Sequence, residues 1–174
     1  MRLARDLSIL LFALLACACG ESVVPKAPAV APAPAVLTQT ENTLQMRIDG
    51  IEWHADHDVF GAFHPPGYER ALIVAGARGP KDAGEQLFNL NLFGISGPGH
   101  YEIRNGDAAG SVAQLANYTP ERFIAGSMMG YDIVVDVRVA NAAPAHIDVA
   151  FSGTLTGNDG VVMKIEDGRF VYRE

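Results

Sequence analysis

The sequence predicts an all-β domain, either an antiparallel β-sandwich or a half-open barrel of about nine or ten short strands. Apolar and polar residues alternate with a period of two, most clearly from Asp132 to Val139, where Ile or Val occupies every second position. Hairpin-type turn sequences separate such runs, as at Asp49-Gly50 and at Asn158-Asp159-Gly160. Sustained 3.6-residue periodicity, which would indicate amphipathic helices, does not occur.

The predicted strands start after Thr43 and are delimited by glycine, proline and Asx-Gly turns. They cover residues 44–48, 51–55, 58–64, 70–77, 86–94, 100–104, 132–139, 147–155, 161–165 and 169–172. Asn105-Gly106 predicts a hairpin, and Asp167-Gly168 predicts a turn between the last two strands. The segment from Ala108 to Asn117 is compatible with a short helix or with one more strand.

The first twenty residues have the layout of a secretory signal peptide. Arg2 and Arg5 precede an apolar run from Leu7 to Ala16, which is followed by two cysteines. Roughly ten apolar residues are too few for a transmembrane helix, which needs about 20. The segment Leu14-Leu15-Ala16-Cys17 resembles the lipobox of bacterial lipoproteins, in which the cysteine sulfur receives a diacylglycerol and the cysteine becomes the new N-terminus.

This resemblance implies that Cys17 is lipidated, that the lipid bilayer is a partner and that the protein resides in the bacterial cell envelope. Cys19 is the alternative lipidation site, because its use would leave no free thiol in the mature chain. The following residue is Ala18 or Gly20 rather than the Asp that typically retains lipoproteins at the inner membrane. The outer membrane is therefore the expected location, with the domain facing the periplasm or the surface.

Three regions are predicted: a signal peptide with lipobox at 1–19, a disordered linker at 20–42 and a β-domain at 43–174. The linker is rich in proline and alanine and carries almost no charge. Proline at this density opposes helix and sheet hydrogen bonding and favours extended polyproline II. The linker is thus expected to hold the domain away from the membrane.

Charge and cysteine content exclude several classes of function. The full chain has 13 basic and 20 acidic residues, and without Arg2, Arg5 and Asp6 the mature chain has 11 and 19, a net charge of −8. Such a chain is not expected to bind nucleic acid. Because both cysteines lie in the first nineteen residues, the domain is expected to have no disulfide and no thiolate metal site. No cofactor is predicted, since Gly97-Pro98-Gly99 lacks the third glycine and the following helix that a dinucleotide site requires.

The domain itself resembles small β-sandwich lipoproteins of uncharacterised families. The similar segments are the opening Ile48-Asp49-Gly50-Ile51-Glu52-Trp53, the middle stretch 90–101, and the closing pair Phe151-Ser152-Gly153-Thr154-Leu155 and Ile165-Glu166-Asp167-Gly168-Arg169-Phe170. These are turn and core positions. The resemblance implies a sandwich fold and an envelope location, and it implies no activity and no site residues.

One cluster of potential metal ligands stands out. In an extended chain, the side chains of His54, Asp56 and Asp58 would lie on one face and that of His57 on the other. His64 follows a few residues later in the sequence. Imidazole and carboxylate groups are typical Zn²⁺ ligands. A hairpin end rich in Asp and His is more often a solvated polar loop, and this interpretation is preferred, so no metal ligand and no catalytic residue is predicted.

Four residues are candidates for contact with a ligand or partner. Trp53 follows a hairpin and is expected either as a core anchor or as a stacking surface. Tyr68 lies in a Pro-Pro-Gly-Tyr turn. Met128 and Met129 lie between glycines and are expected to form either a buried connection or an adaptable apolar surface that contacts a ligand or partner.

The sequence therefore predicts a non-enzymatic, membrane-anchored binding or structural module whose partner is an envelope protein or a glycan. The alternative is a small periplasmic or surface hydrolase, or a metal-binding protein, that uses the cluster from His54 to His64. The two glycine-flanked serine segments, 94–97 and 126–130, lack the Gly-x-Ser-x-Gly pattern of a nucleophile elbow.

Overall fold

The computed structural model of the protein describes residues 41–64, 71–106, 110–121 and 123–174. These residues form eleven β-strands and no helix. The strands are β1 (Thr43–Ile48), β2 (Ile51–His54), β3 (His57–Phe63), β4 (Leu72–Arg78), β5 (Gln86–Leu92), β6 (Gly99–Arg104), β7 (Val112–Ala116), β8 (Ile124–Gly126), β9 (Tyr131–Ala142), β10 (Ala145–Thr156) and β11 (Val162–Arg173).

Two antiparallel sheets pack face to face, which confirms the predicted β-sandwich and excludes a closed barrel. The six-stranded sheet has the order β2-β1-β11-β10-β9-β6, and the five-stranded sheet has the order β3-β4-β5-β7-β8. The chain moves from the first sheet to the second between His54 and His57, where the Ala55 N–H donates to Leu44 and the Asp56 N–H donates to Ala77. Successive residues of this crossing therefore belong to different sheets.

The core lies between the sheets and is built from the alternating apolar residues that the sequence predicts. Trp53 is 1% exposed and its indole N–H donates to Gln86 Oε1 at 2.8 Å. Its ring lies 6.1 Å from that of Phe88, which stacks on Phe151 at 5.4 Å. Burial of each large apolar side chain stabilises the fold by roughly 1.5–3 kcal/mol. Trp53 is thus a core anchor, and its role as an exposed stacking surface is wrong.

Three predictions about turns and strands are corrected or decided by the structure. Asp167-Gly168 is a bulge within β11, because Asp167 has a φ of 51° and the pairing register shifts beside it. Asn105-Gly106 does not close a hairpin, since β6 pairs with β9 and β7 belongs to the other sheet. The ambiguous segment from Ala108 to Asn117 contains strand β7.

Gly168 shows why the bulge needs a glycine. A Cβ at this position would lie 2.5 Å from two ring carbons of Phe151 and 2.5 Å from its carbonyl oxygen. The missing side chain lets the Phe151 ring pack against the β11 backbone. The Asx-Gly pair therefore serves core packing here rather than chain reversal.

Candidate functional site

The outward surface of the five-stranded sheet carries no formal charge in its three central rows. Strand register places directly opposed residues on the same side of a sheet. One row contains Leu87, Ala116 and Ile124, with the buried Ala77 at its end; the next contains Phe60, Ala75, Asn89 and Gln114; the third contains Ala62, Ile73, Asn91 and Val112. We call these residues the uncharged face.

Large apolar side chains are accessible on the uncharged face. Phe60 is 48% exposed, Leu87 42% and Ile124 39%. The Phe60 ring packs edge-on against Tyr172 at 5.9 Å, which limits its motion. The centre of the face is polar but uncharged, with the amides of Asn89 and Gln114 on neighbouring strands.

The outward surface of the six-stranded sheet is different, because paired charges cover it. His100 Nδ1 lies 2.7 Å from Asp136 Oδ1, Arg104 Nε lies 3.3 Å from Asp132 Oδ2, and Arg169 donates to Asp148 at 2.6 Å. Opposite charges on adjacent strands stabilise a sheet modestly and keep its surface solvated. Among the described residues, the outward rows of the six-stranded sheet thus carry paired charges, whereas the three central rows of the five-stranded sheet carry none.

A polar cluster bounds the uncharged face at the end of its first row, where His57 is opposed to Ala77. His57 Nε2 lies 2.7 Å from Glu85 Oε1 and 3.9 Å from Asp58 Oδ2. The other ring nitrogen, Nδ1, is hydrogen-bonded to Asp56 Oδ1. We call His57, Asp56, Asp58, Glu85 and Lys81 the His57 cluster.

Local chain geometry assembles the His57 cluster. Asp58 has a φ of 51°, which produces a bulge at the start of β3 and turns its carboxylate toward the β4–β5 connection. The Gly79 N–H donates to Asp56 Oδ2 at 3.1 Å, and the Glu85 N–H donates to Asp82 O at 3.1 Å. The connection is therefore held against the beginning of β3.

Hydrogen bonds among the residues of the His57 cluster, and one from the neighbouring Gly79 amide, shift the pKa of four members of the cluster. Glu85 and then Asp56 raise the pKa of His57 above its ordinary value, because each carboxylate stabilises the imidazolium. The Gly79 amide and then His57 lower the pKa of Asp56. Lys81 Nζ lies 2.8 Å from Asp58, which lowers the pKa of Asp58 and raises that of Lys81.

The structure separates the predicted ligand cluster. Asp56 and Asp58 both approach His57 rather than His54, because the backbone is not extended through this segment. His54 lies on the outward surface of the six-stranded sheet, where it lines a groove of about 380 Å³ with Arg47, Glu52 and Asp167 among others. His64 follows the opposite end of β3, about 20 Å along the strand from His57.

The remaining predicted residues fall in different places. Met128 is 88% exposed and Met129 is 47% exposed, in the turn after β8, so the buried-connection interpretation of these two residues is wrong. Tyr68, Cys17 and Cys19 lie outside the residues that the structure describes. Reasoning from sequence missed Glu85 and Lys81, because no local motif links them to a histidine 28 and 24 positions earlier.

Comparisons with protein-family models, with curated proteins and with solved structures gave no significant match. Within the described segments no helix is long and apolar enough to cross a membrane. The uncharged face and the His57 cluster are therefore the features of the described residues that bear on function.

Proposed function

We propose that this protein is a non-enzymatic binding module of the bacterial cell envelope, anchored by a lipid on Cys17, or alternatively on Cys19, and that it binds a partner protein. The observation that carries the binding proposal is the uncharged face. Charged residues are depleted at the centre of protein interfaces, and aromatic and large apolar residues are enriched there. The exposed Phe60, Leu87 and Ile124 fit that composition.

The size of the uncharged face favours a transient contact. Five strands about 4.8 Å apart and three rows about 6.8 Å apart give an area of roughly 400 Å². A stable interface needs about 800 Å² from each partner, so this face alone is too small for a stable dimer of two copies.

A protein partner is favoured over a glycan by the side chains present. Small residues such as Ala62, Ala75 and Ala116 leave the surface between the larger side chains flat, whereas the sites of small ligands are concave. Phe60 is the single aromatic residue of the three rows, and its ring is already in contact with Tyr172. Sugar recognition by stacking needs an open aromatic ring face.

Site-specific photo-crosslinking in the native membrane tests the proposal. A photoreactive residue is placed at Gln114, in the middle row of the uncharged face, and in a matched variant at Asp136, on the charged surface. A discrete adduct from Gln114 that yields peptides of a second protein, with little from Asp136, is the expected result. Equal adducts from both positions, an adduct containing only this chain, or a non-protein adduct would contradict the proposal.

A further inference from the structure

The His57 cluster brings three potential ligand atoms within 4.8 Å of one another, and we propose that it is a binding site for a single divalent transition-metal ion such as Zn²⁺. The ligand atoms are His57 Nε2, Glu85 Oε1 and Asp58 Oδ2. One imidazole and two carboxylates are a donor set that Zn²⁺ accepts. This site differs from the group His54, Asp56, Asp58 and His64 that the sequence singles out.

The separations of the ligand atoms are close to those that a metal ion requires. In a tetrahedral site with bonds of about 2.0–2.1 Å, ligand atoms lie roughly 3.4 Å apart. The observed separations from His57 Nε2 are 2.7 Å to Glu85 and 3.9 Å to Asp58. Side-chain rotations that shift these atoms by about an ångström or less would therefore bring all three to ligand positions. A water molecule would occupy the fourth coordination position.

Asp56 orients the His57 imidazole so that Nε2 faces Glu85 and Asp58. Its carboxylate accepts a hydrogen bond from His57 Nδ1, and its second oxygen accepts one from the Gly79 N–H at 3.1 Å. Metal-binding histidines usually donate their second ring N–H to a carboxylate or carbonyl, which fixes the tautomer and the ring orientation. Asp56 is thus a positioning residue for Nε2 rather than a ligand.

The ligands come from two segments and are partly shielded from solvent. The side chains of His57 and Glu85 are 18% and 22% exposed, which restricts their rotamers, whereas Asp58 is 61% exposed. Half-buried ligands on opposed elements lose less conformational entropy on binding an ion than freely rotating surface groups. The exposed Asp58 leaves an entry path.

Lys81 makes it possible to distinguish a metal site from a purely structural cluster, because its ammonium would compete with a metal ion for Asp58. Nζ lies 2.8 Å from Asp58 Oδ2, and the lysine side chain is 64% exposed. An exposed ion pair of this kind contributes little free energy, so a divalent ion can displace it. Removal of the ammonium should therefore strengthen metal binding, whereas a purely structural cluster would only lose a contact.

The test is calorimetric titration of the full-length protein, purified in detergent, with Zn²⁺ in the presence of a competing chelator. Glu85→Gln should weaken binding by more than Asp56→Asn, whose expected loss is about 10- to 100-fold. Lys81→Met should tighten binding by about threefold or more, since a positive charge is removed from the site. His100→Gln, which removes an exposed histidine paired with Asp136, is the control and should leave the affinity unchanged.

Two further measurements distinguish a loss of metal binding from unfolding of a variant. Fluorescence of the buried Trp53 reports whether each variant retains its core. In nitrogen NMR spectra of the wild-type protein, the chemical shift of His57 Nε2 should change by a large amount when Zn²⁺ is added. Equal weakening by Glu85→Gln and His100→Gln would overturn the proposal. So would absence of a Nε2 shift, or a Lys81→Met variant that binds no more tightly than wild type.

Discussion

Neighbouring residues of this chain have opposite roles, and the crossing between the sheets explains why. Trp53 is a core residue, His54 faces solvent on the six-stranded sheet, and His57 belongs to the five-stranded sheet. The alternation of side chains in a strand made the burial of Trp53 predictable once a hairpin was assigned. The partners of His57 were not predictable, because the sheet crossing and the positive φ of Asp58 break that alternation.

Glu166 offers a test of electrostatics at the scale of one residue. The Lys164 ammonium donates to it at 2.7 Å and, with Arg47, holds the pKa of Glu166 below its ordinary value. A depressed carboxyl pKa stabilises the fold above the pKa of the unfolded chain, and this contribution is lost as pH falls through the folded value. Carboxyl NMR titration should show that Lys164→Met raises the Glu166 pKa. An unchanged pKa would refute the pairing.

At the scale of elements, Asx-Gly sequences correctly indicated positive φ angles, but they did not show whether the chain reverses at that point or continues as one strand. Asp49-Gly50 forms the predicted hairpin, with φ angles of 49° and 81°. Asp167-Gly168 has the same sequence signature and forms a bulge instead, because β11 continues through it, paired with β10 on one side and with β1 on the other both before and after these residues. Local propensity specifies a positive φ, whereas long-range pairing decides whether the chain reverses.

Two glycines with similar φ angles separate backbone strain from packing. Gly50 has a φ of 81° with nothing within 4 Å of a Cβ, whereas Gly126 has a φ of 77° and a Cβ there would lie 2.1 Å from Ala113 O. Gly50→Ala should lower the free energy of unfolding by about 1–2 kcal/mol, from the left-handed conformation alone. Gly126→Ala should cost about 3 kcal/mol or more, because overpacking adds to that strain.

Urea denaturation monitored by tryptophan fluorescence measures both glycine variants. The midpoint for Gly126→Ala should fall well below that for Gly50→Ala, with similar slopes. Equal losses would mean that β8 adjusts to the added methyl group and does not pack tightly against β7.

At the scale of the whole molecule, the two broad surfaces have different chemistry. The sequence already shows the alternation that produced the sandwich, including the buried series Ile133, Val135 and Val137. It does not show that the five-stranded sheet lacks charge in its central rows. That property depends on which strands are neighbours, such as β5 beside β7, and on their register.

Lipidation is a prediction about the whole molecule, since it decides where the domain is held. Radiolabelled palmitate fed to bacteria that make the protein should label the wild type and Cys19→Ser, and should not label Cys17→Ser. The reason is that Cys17 has the Leu expected three residues before a lipidated cysteine. Label retained by Cys17→Ser and lost by Cys19→Ser would assign the anchor to Cys19, and an unlabelled wild type would contradict the anchor.

A charge placed on the uncharged face tests whether the partner protein binds there. With the photoreactive residue at Gln114, the measured quantity is the yield of protein adduct in Asn89→Lys compared with Ser152→Lys, a matched change at an exposed position of the six-stranded sheet. An ammonium buried without a partner costs at least about 1.4 kcal/mol, so Asn89→Lys should reduce the yield about tenfold or more. Ser152→Lys should leave the yield unchanged, and equal yields from the two folded variants would contradict binding through this face.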